Sequence, residues 1–155
     1  MRRFVAVAAA TVVAAVSSAV WTGPAAAAAP QPVKLGAYLD GRQEVPKSPA
    51  GKGDPDASGV VLMELHGDGR LCYVLRVRNV SGKIDAAHLH RGRAGKNGPI
   101  VAQLALPLSG GSVATCTEVG RKLADRLRHR TSRFYVNVHS TEHPDGAVRG
   151  QLHRD

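Results

Sequence analysis

The feature of this sequence that most restricts its fold is a series of short runs in which apolar residues occupy every second position. The clearest run is residues 71 to 78, where Leu71, Tyr73, Leu75 and Val77 alternate with less apolar or charged residues. Successive side chains of an extended chain point to opposite faces, so this pattern predicts a half-buried β-strand.

Similar runs recur along the chain, separated by turn-forming residues. The tripeptide Gly67-Asp68-Gly69 is typical of a hairpin turn. The predicted strands are Val33–Asp40, Gly59–His66, Leu71–Arg78, Ile84–His90, Ile100–Leu106, Val113–Thr117, Phe134–His139 and Ala147–His153. About seven to nine short strands with turns between them predict an all-β antiparallel sandwich or barrel.

One segment departs from the period of two. Thr115 and Glu118 have the spacing of a capping box, which is a signal for the start of a helix. Val119, Leu123 and Leu127 follow at intervals of four residues, with charged residues between them. We therefore expect one short helix in this part of the chain.

The first 29 residues have the layout of a secretory signal peptide. A short basic start precedes an apolar run from Phe4 to Val16, and the alanine tract Ala25–Ala29 follows it. The alternative is a transmembrane anchor, but this run of 13 residues is shorter than the roughly 20 that a membrane span needs. We expect cleavage of residues 1–29, no transmembrane anchor, and a secreted domain formed by residues 30–155.

The two cysteines, Cys72 and Cys116, both lie in the part predicted to be exported. An even number of cysteines in a small exported domain favours a disulfide. The alternative is a pair of buried free thiols. The sequence thus predicts a Cys72–Cys116 bridge.

The chain is strongly basic, with a formal net charge of +9. Basic residues concentrate at Arg91, Arg93 and Lys96 and again between Arg121 and Arg133. The simplest interpretation of this charge is solubility; it is also compatible with an anionic cell-wall polymer, a polysaccharide or an extracellular protein as partner. Aromatic residues make up only 4% of the chain and no nucleic-acid-binding motif occurs, so we expect no nucleic-acid partner.

Polar residues cluster on one predicted face of the strands. His88 and His90 share a face because they are two positions apart in an extended strand. Phe134, Val136 and Val138 predict a buried face, which places the residues between them on the outer side. The residues predicted to form a polar surface cluster there with His139 are Tyr135, Asn137, Arg149 and Gln151.

Five motifs follow one another over about residues 35 to 153. They are Glu44-Val45-Pro46, Ala87-His88-Leu89-His90, Gly95-x-Asn97-Gly98-Pro99-Ile100-Val101, Tyr135-Val136-Asn137-Val138-His139 and Pro144-Asp145-Gly146-Ala147-Val148-Arg149-Gly150-Gln151-Leu152. In sequence and in order they resemble the motifs of the CHRD domain, which is repeated in chordin and occurs singly in exported bacterial proteins, and as a set they are specific.

The resemblance implies an immunoglobulin-like β-sandwich with a distant likeness to the Greek-key barrel of copper/zinc superoxide dismutase. By that likeness, His88 and His90 look like a copper-binding His-x-His pair and His139 like a later copper ligand. Arg149 looks like a substrate-guiding arginine. The segment from Arg91 to Asn97 contains no histidine or carboxylate, so we expect neither a neighbouring buried zinc site nor dismutation.

Two functions follow as expectations. The first is a secreted, non-catalytic module for extracellular binding or envelope association, since no motif for catalysis is present. The second is a copper- or zinc-binding protein that uses His88, His90 and His139, with His143 as the one candidate for a fourth ligand. The alternative to metal binding is a structural role, in which the histidines and Arg149 form a hydrogen-bonded network that holds loops to the sheet.

Overall fold

The computed structural model describes residues 31–47, 51–107 and 111–155, and within them nine strands form one antiparallel sheet accompanied by a single α-helix, α1 (Arg121–His129). The strands are β1 (Val33–Asp40), β2 (Ser58–Leu65), β3 (Arg70–Arg78), β4 (Ile84–Arg91), β5 (Ile100–Gln103), β6 (Ser112–Glu118), β7 (Phe134–Ser140), β8 (Val148–Gln151) and β9 (His153–Arg154). Single 3-10 turns lie at Gly41–Gln43 and Thr131–Arg133. The predicted all-β antiparallel fold with one short helix is confirmed. The predicted signal peptide, residues 1–29, lies outside the described residues.

The sheet curls into a sandwich-like half-barrel. Its strand order is β5-β4-β7-β8-β1-β2-β3-β6, with β9 paired to β1. One half therefore consists of β5, β4, β7 and β8, and the other of β1, β2, β3 and β6. The halves meet where Asp40 of β1 pairs with Arg149 of β8. Because the chain crosses between the halves after β3, β5, β6 and β8, residues distant in sequence come together on one face.

Both halves bury apolar side chains in a common core. In β3, Leu71, Tyr73, Leu75 and Val77 are buried while Arg76 is exposed, which confirms the predicted alternation. Other buried core residues are Leu35, Val61, Met63, Leu89, Val136, Val138, Val148 and Leu152. The period of two in the sequence thus places one face of each strand in the core.

The predicted capping box is wrong. Thr115 and Glu118 belong to β6, where they pair with Tyr73 and Arg70 of β3. The helix begins at Arg121 after Gly120, which has φ 74° and provides no side-chain cap. Pairing with β3 holds the backbone extended through Glu118, so the long-range sheet contact overrides the local signal. The helix itself is confirmed, and it packs Ala124 and Leu127 into the core.

The strand predicted over Ile100–Leu106 ends earlier, at Gln103. Beyond it, the Ala105 N–H donates to the hydroxyl of Tyr73 at 2.7 Å. Tyr73 belongs to the other half of the sheet, so this bond draws the chain out of regular pairing. No helix in the described part of the chain is long and apolar enough to span a membrane.

The predicted disulfide is present. Cys72 of β3 and Cys116 of β6 lie directly opposite each other in the strand register and are bonded through their sulfur atoms. The bridge ties the edge strand β6 to its neighbour across 44 residues of sequence. A disulfide of this kind is compatible with an oxidising, extracellular environment.

Candidate metal centre

Two antiparallel strands bring the three predicted histidines together. In the register of β4 and β7, His88 lies opposite Asn137 and His90 lies opposite Tyr135. His139 is two residues beyond Asn137, so its side chain points to the same side as theirs. A register shift between Ile84 and Ala86 places Ala86, two residues before His88, opposite His139. The sequence predicted that His88 and His90 share one face of their strand. The pairing of β4 with β7 brings His139 next to them.

The three imidazole rings form a compact group. His88 Nδ1 and His139 Nε2 are 3.1 Å apart, and one ring nitrogen from each histidine lies within 4.8 Å of the others. Three atoms with such separations lie within about 2.8 Å of one common point. Metal–nitrogen bonds are about 2.0–2.1 Å long. Side-chain movements of less than about an ångström would therefore bring all three nitrogens to one ion.

Backbone carbonyl groups orient two of the rings. His90 Nδ1 donates to the Gly98 carbonyl oxygen, and His139 Nδ1 donates to that of Pro144, each at 2.9 Å. In a neutral imidazole whose Nδ1 carries the proton, Nε2 keeps a free lone pair. Metal-binding histidines are commonly oriented by such a bond from the other ring nitrogen. His90 Nε2 is buried and has no hydrogen-bond partner.

The surroundings of the histidines favour their neutral form. Burial lowers the pKa of His90 to about 4, with further lowering by the charges of His88 and His139. Burial likewise lowers the pKa of His88 and of His139. These shifts favour the neutral form of all three rings, which is the state that binds a metal ion.

The predicted polar surface cluster lies on the expected side of the sheet, but three of its four members are buried and the fourth, Gln151, is partly buried. Tyr135 and Arg149 are each 1% exposed and Asn137 is 3% exposed. The connection between β4 and β5, residues 92–99, lies over Tyr135 and Arg149. Arg149 Nη2 donates to the carbonyl oxygens of Arg93 and Lys96 at 3.0 and 2.9 Å. The prediction of a solvated face is thus wrong, because period two distinguishes the two sides of a strand but not what covers each side.

Arg149 and Gln151 hold this connection to the sheet. The Arg149 guanidinium lies 3.4 Å above the centre of the Tyr135 ring, and the ring of His90 stacks on Tyr135 at 4.7 Å. Gln151 Nε2 donates to the carbonyl oxygens of Gly92 and Phe134. Arg149 thus belongs to a hydrogen-bonded network that holds a loop to the sheet, as the structural alternative to metal binding predicted. Gln151 is part of the same network. A stacked, buried Arg149 that binds backbone carbonyls is not placed as a substrate-guiding arginine would be.

Two further residues differ from the sequence-based expectation. His143, the candidate fourth ligand, does not join the cluster; its Nδ1 donates to the Lys52 carbonyl oxygen and its Nε2 lies 3.7 Å from Asp54 Oδ2. Glu44 was not predicted as a site residue, yet its Oε2 accepts a hydrogen bond from Asn137 Nδ2 at 3.2 Å. Its place in the first sequence motif was the signal that marked it.

Three neutral imidazoles from two strands form a donor set suited to zinc or copper, and would leave one coordination position open. His88 is the least buried of the three. Tyr135 stacks on the ring of His90.

Comparison with known proteins identifies the family of this chain. The model of the CHRD domain matches residues 35–152, which include most of β1, all of β2 through β8 and all three histidines. No curated protein and no solved structure matches the chain. Since this match covers most of the sequence, the protein belongs to the CHRD domain family.

Proposed function

We propose that this CHRD domain is an exported, non-catalytic metal-binding protein that holds one copper or zinc ion with His88, His90 and His139. The observation that carries the proposal is the buried Nε2 of His90, which has no hydrogen-bond partner. Buried polar atoms are nearly always bonded, so an orphan atom calls for an explanation. A metal ion bound there would satisfy it.

The bonds to Gly98 and Pro144 support the same conclusion. They place the protons of His90 and His139 on Nδ1, which leaves both Nε2 atoms as lone-pair donors on the side of the cluster. His88 binds through Nδ1 once its proton has moved to Nε2. In the metal-free protein that proton instead bridges His88 Nδ1 and His139 Nε2.

Export is supported by the disulfide between Cys72 and Cys116 and by the signal-like start of the sequence. A non-catalytic role is supported by the network around Arg149 and Gln151, whose side chains bind backbone carbonyls and hold the loop. We therefore assign the polar residues a supporting role and the histidines the ligand role.

The test is titration of the tag-free protein with Cu²⁺ and Zn²⁺, followed by calorimetry and, for copper, by electron paramagnetic resonance. We expect one ion per chain in the wild type. His90→Ala should weaken binding by at least about 100-fold, because loss of one ligand from three leaves an incomplete site. His129→Ala, in an exposed histidine of α1, is the matched control and should bind as the wild type does.

His88→Ala provides a second variant in case His90→Ala does not fold, since His88 is only partly buried. Absence of binding at micromolar metal, or equal binding by wild type and His88→Ala, would contradict the proposal. The histidines would then be structural. In that case His90→Ala should lower the free energy of unfolding by about 1–3 kcal/mol, as expected for loss of a buried hydrogen bond.

A further inference from the structure

A concentration of positive charge lies outside the histidine cluster, in a cleft between α1 and the end of β4. The cleft has a volume of about 660 Å³. Five arginines line it: Arg91, Arg93, Arg126, Arg130 and Arg133. They come from the end of β4 and the loop after it, from α1 and its C-terminal residue, and from the 3-10 turn before β7. Separate parts of the chain thus contribute arginine residues to one cleft.

This charge is poorly balanced within the described part of the protein. Asp125 is the single carboxylate that lines the cleft, and its side chain lies 3.4 Å from His129 Nε2. No described aspartate or glutamate forms a salt bridge with any of the five arginines. All five are exposed. Their mutual repulsion is therefore relieved only by water and by anions from solution.

The helix dipole accounts for only part of the arrangement. Arg126 and Arg130 lie at the C-terminal end of α1, where positive charge is favourable. Arg91, Arg93 and Arg133 belong to other elements and gain nothing from that dipole. Solvation of a basic helix would therefore not explain why these three arginines line the same cleft.

One wall of the cleft is held in place before any ligand arrives. Arg149 binds the carbonyl oxygen of Arg93, and Gln151 binds that of Gly92. The second wall is anchored because Leu127 of α1 is buried in the core. Pre-ordered walls reduce the entropy lost on binding.

We propose that this cleft binds successive phosphate groups of an anionic phosphate polymer outside the cell. The planar arginine fork forms paired hydrogen bonds with phosphate oxygens. The volume exceeds that of one phosphate group, so several successive groups fit. Phe134, the aromatic residue of the cleft, is only 1% exposed and offers no face for stacking bases. The chemistry thus favours the charged backbone of a polymer over a nucleobase.

The test uses inorganic polyphosphate of defined length as the polymer probe, with orthophosphate and phosphatidylglycerol vesicles as separate arms. The double variant Arg93→Gln/Arg126→Gln removes one charge from each wall of the cleft. Its matched control is Arg76→Gln/Arg78→Gln, which removes two exposed arginines from β3 and changes the net charge equally. Affinity is measured at low and high salt.

We expect polyphosphate to bind the wild type at low salt and to weaken as salt increases. The cleft variant should lose at least about 10-fold in affinity and the control less than about 2-fold. Orthophosphate should bind far more weakly than the polymer. Equal losses in the two variants, binding to vesicles without binding to polyphosphate, or no polymer binding at low salt would each overturn the proposal. The metal titration is independent, so failure of either proposal leaves the other standing.

Discussion

At the scale of single residues, Glu44 is the least expected member of the site. Its Oε2 accepts a hydrogen bond from Asn137, while its buried Oε1 has no partner. Burial raises the pKa of Glu44 to about 7, although the nearby charge of Arg149 and the bond from Asn137 act to lower it. The carboxyl group therefore gains or loses its proton near neutral pH, in contact with the residues that support the histidines.

This raised pKa makes stability depend on pH in a defined direction. In the unfolded chain Glu44 ionises near its ordinary pKa of 4.5, but in the folded protein it ionises near 7. Between these values the folded state binds more protons, so its contribution to stability decreases as pH rises from 4.5 to 7. We expect Glu44→Gln to remove this pH-dependent loss of stability. The free energy of unfolding of the variant, relative to that of the wild type, should therefore be higher at pH 7.5 than at pH 4.5 by on the order of 2 kcal/mol.

Urea unfolding at pH 4.5, 6 and 7.5 measures the difference. Glu118→Gln changes an exposed carboxylate on β6 and should follow the wild-type profile. If the wild type and Glu44→Gln show parallel pH profiles, the Glu44 carboxyl group is not shifted as described.

At the scale of elements, the loop between β4 and β5 contacts His90 of the proposed metal site and also lines the basic cleft. Its inner side accepts bonds from Arg149 and Gln151. Its last residues return to the sheet through Gly98, whose carbonyl oxygen orients His90. The hydroxyl of Tyr135 also accepts a bond from the Gly98 N–H at 3.2 Å. A small residue is required at position 98, because an added Cβ would overlap the carbonyl group of Arg91.

We expect Gly98→Ala to weaken copper binding by about 10-fold or more, since it displaces the carbonyl group that orients His90. The overlap should also lower the free energy of unfolding by about 1–3 kcal/mol. Gly67→Ala in the β2–β3 turn, where an added Cβ meets nothing within 4 Å, is the control. Copper titration and thermal unfolding of both variants provide the comparison. Unchanged copper affinity in a folded Gly98→Ala protein would show that this carbonyl group does not orient the ligand.

At the scale of the whole molecule, the histidine cluster and the disulfide lie in different halves of the sheet. The half that contains β4 and β7 carries the histidines, whereas the disulfide joins β3 and β6 of the other half. A shared core lies between them. This division predicts that the bridge contributes to stability without shaping the metal site.

The double variant Cys72→Ala/Cys116→Ala tests this separation. A bridge across 44 residues constrains the unfolded chain, and we expect its loss to lower the free energy of unfolding by about 2–4 kcal/mol. Copper affinity should remain within about 2-fold of the wild type at temperatures where the variant is folded. Denaturant unfolding and copper titration on the same preparation are the measurements. A large loss of copper affinity in the folded variant would show that the two halves are coupled.

The sequence by itself determined the strands and their faces. Alternation at Leu71–Val77 and at Phe134–Val138 reports which side of each strand faces the hydrophobic core, because side-chain direction in a strand is a local property. The same rule placed His88 and His90 on one face, and the CHRD motifs marked them together with His139. The cysteine count in a small domain was likewise sufficient to predict the disulfide.

Only the tertiary structure decided how these faces meet and what covers them. The register of β4 against β7 brings His139 within 3.1 Å of His88, which no local pattern encodes. Pairing of β6 with β3 turned the apparent capping box at Thr115 into strand, because sheet contacts outweigh a local helix signal. The loop held by Arg149 buried a face that alternation alone predicted to be solvated. These outcomes depend on contacts between residues far apart in the chain, and such contacts exist only once the sheet has formed.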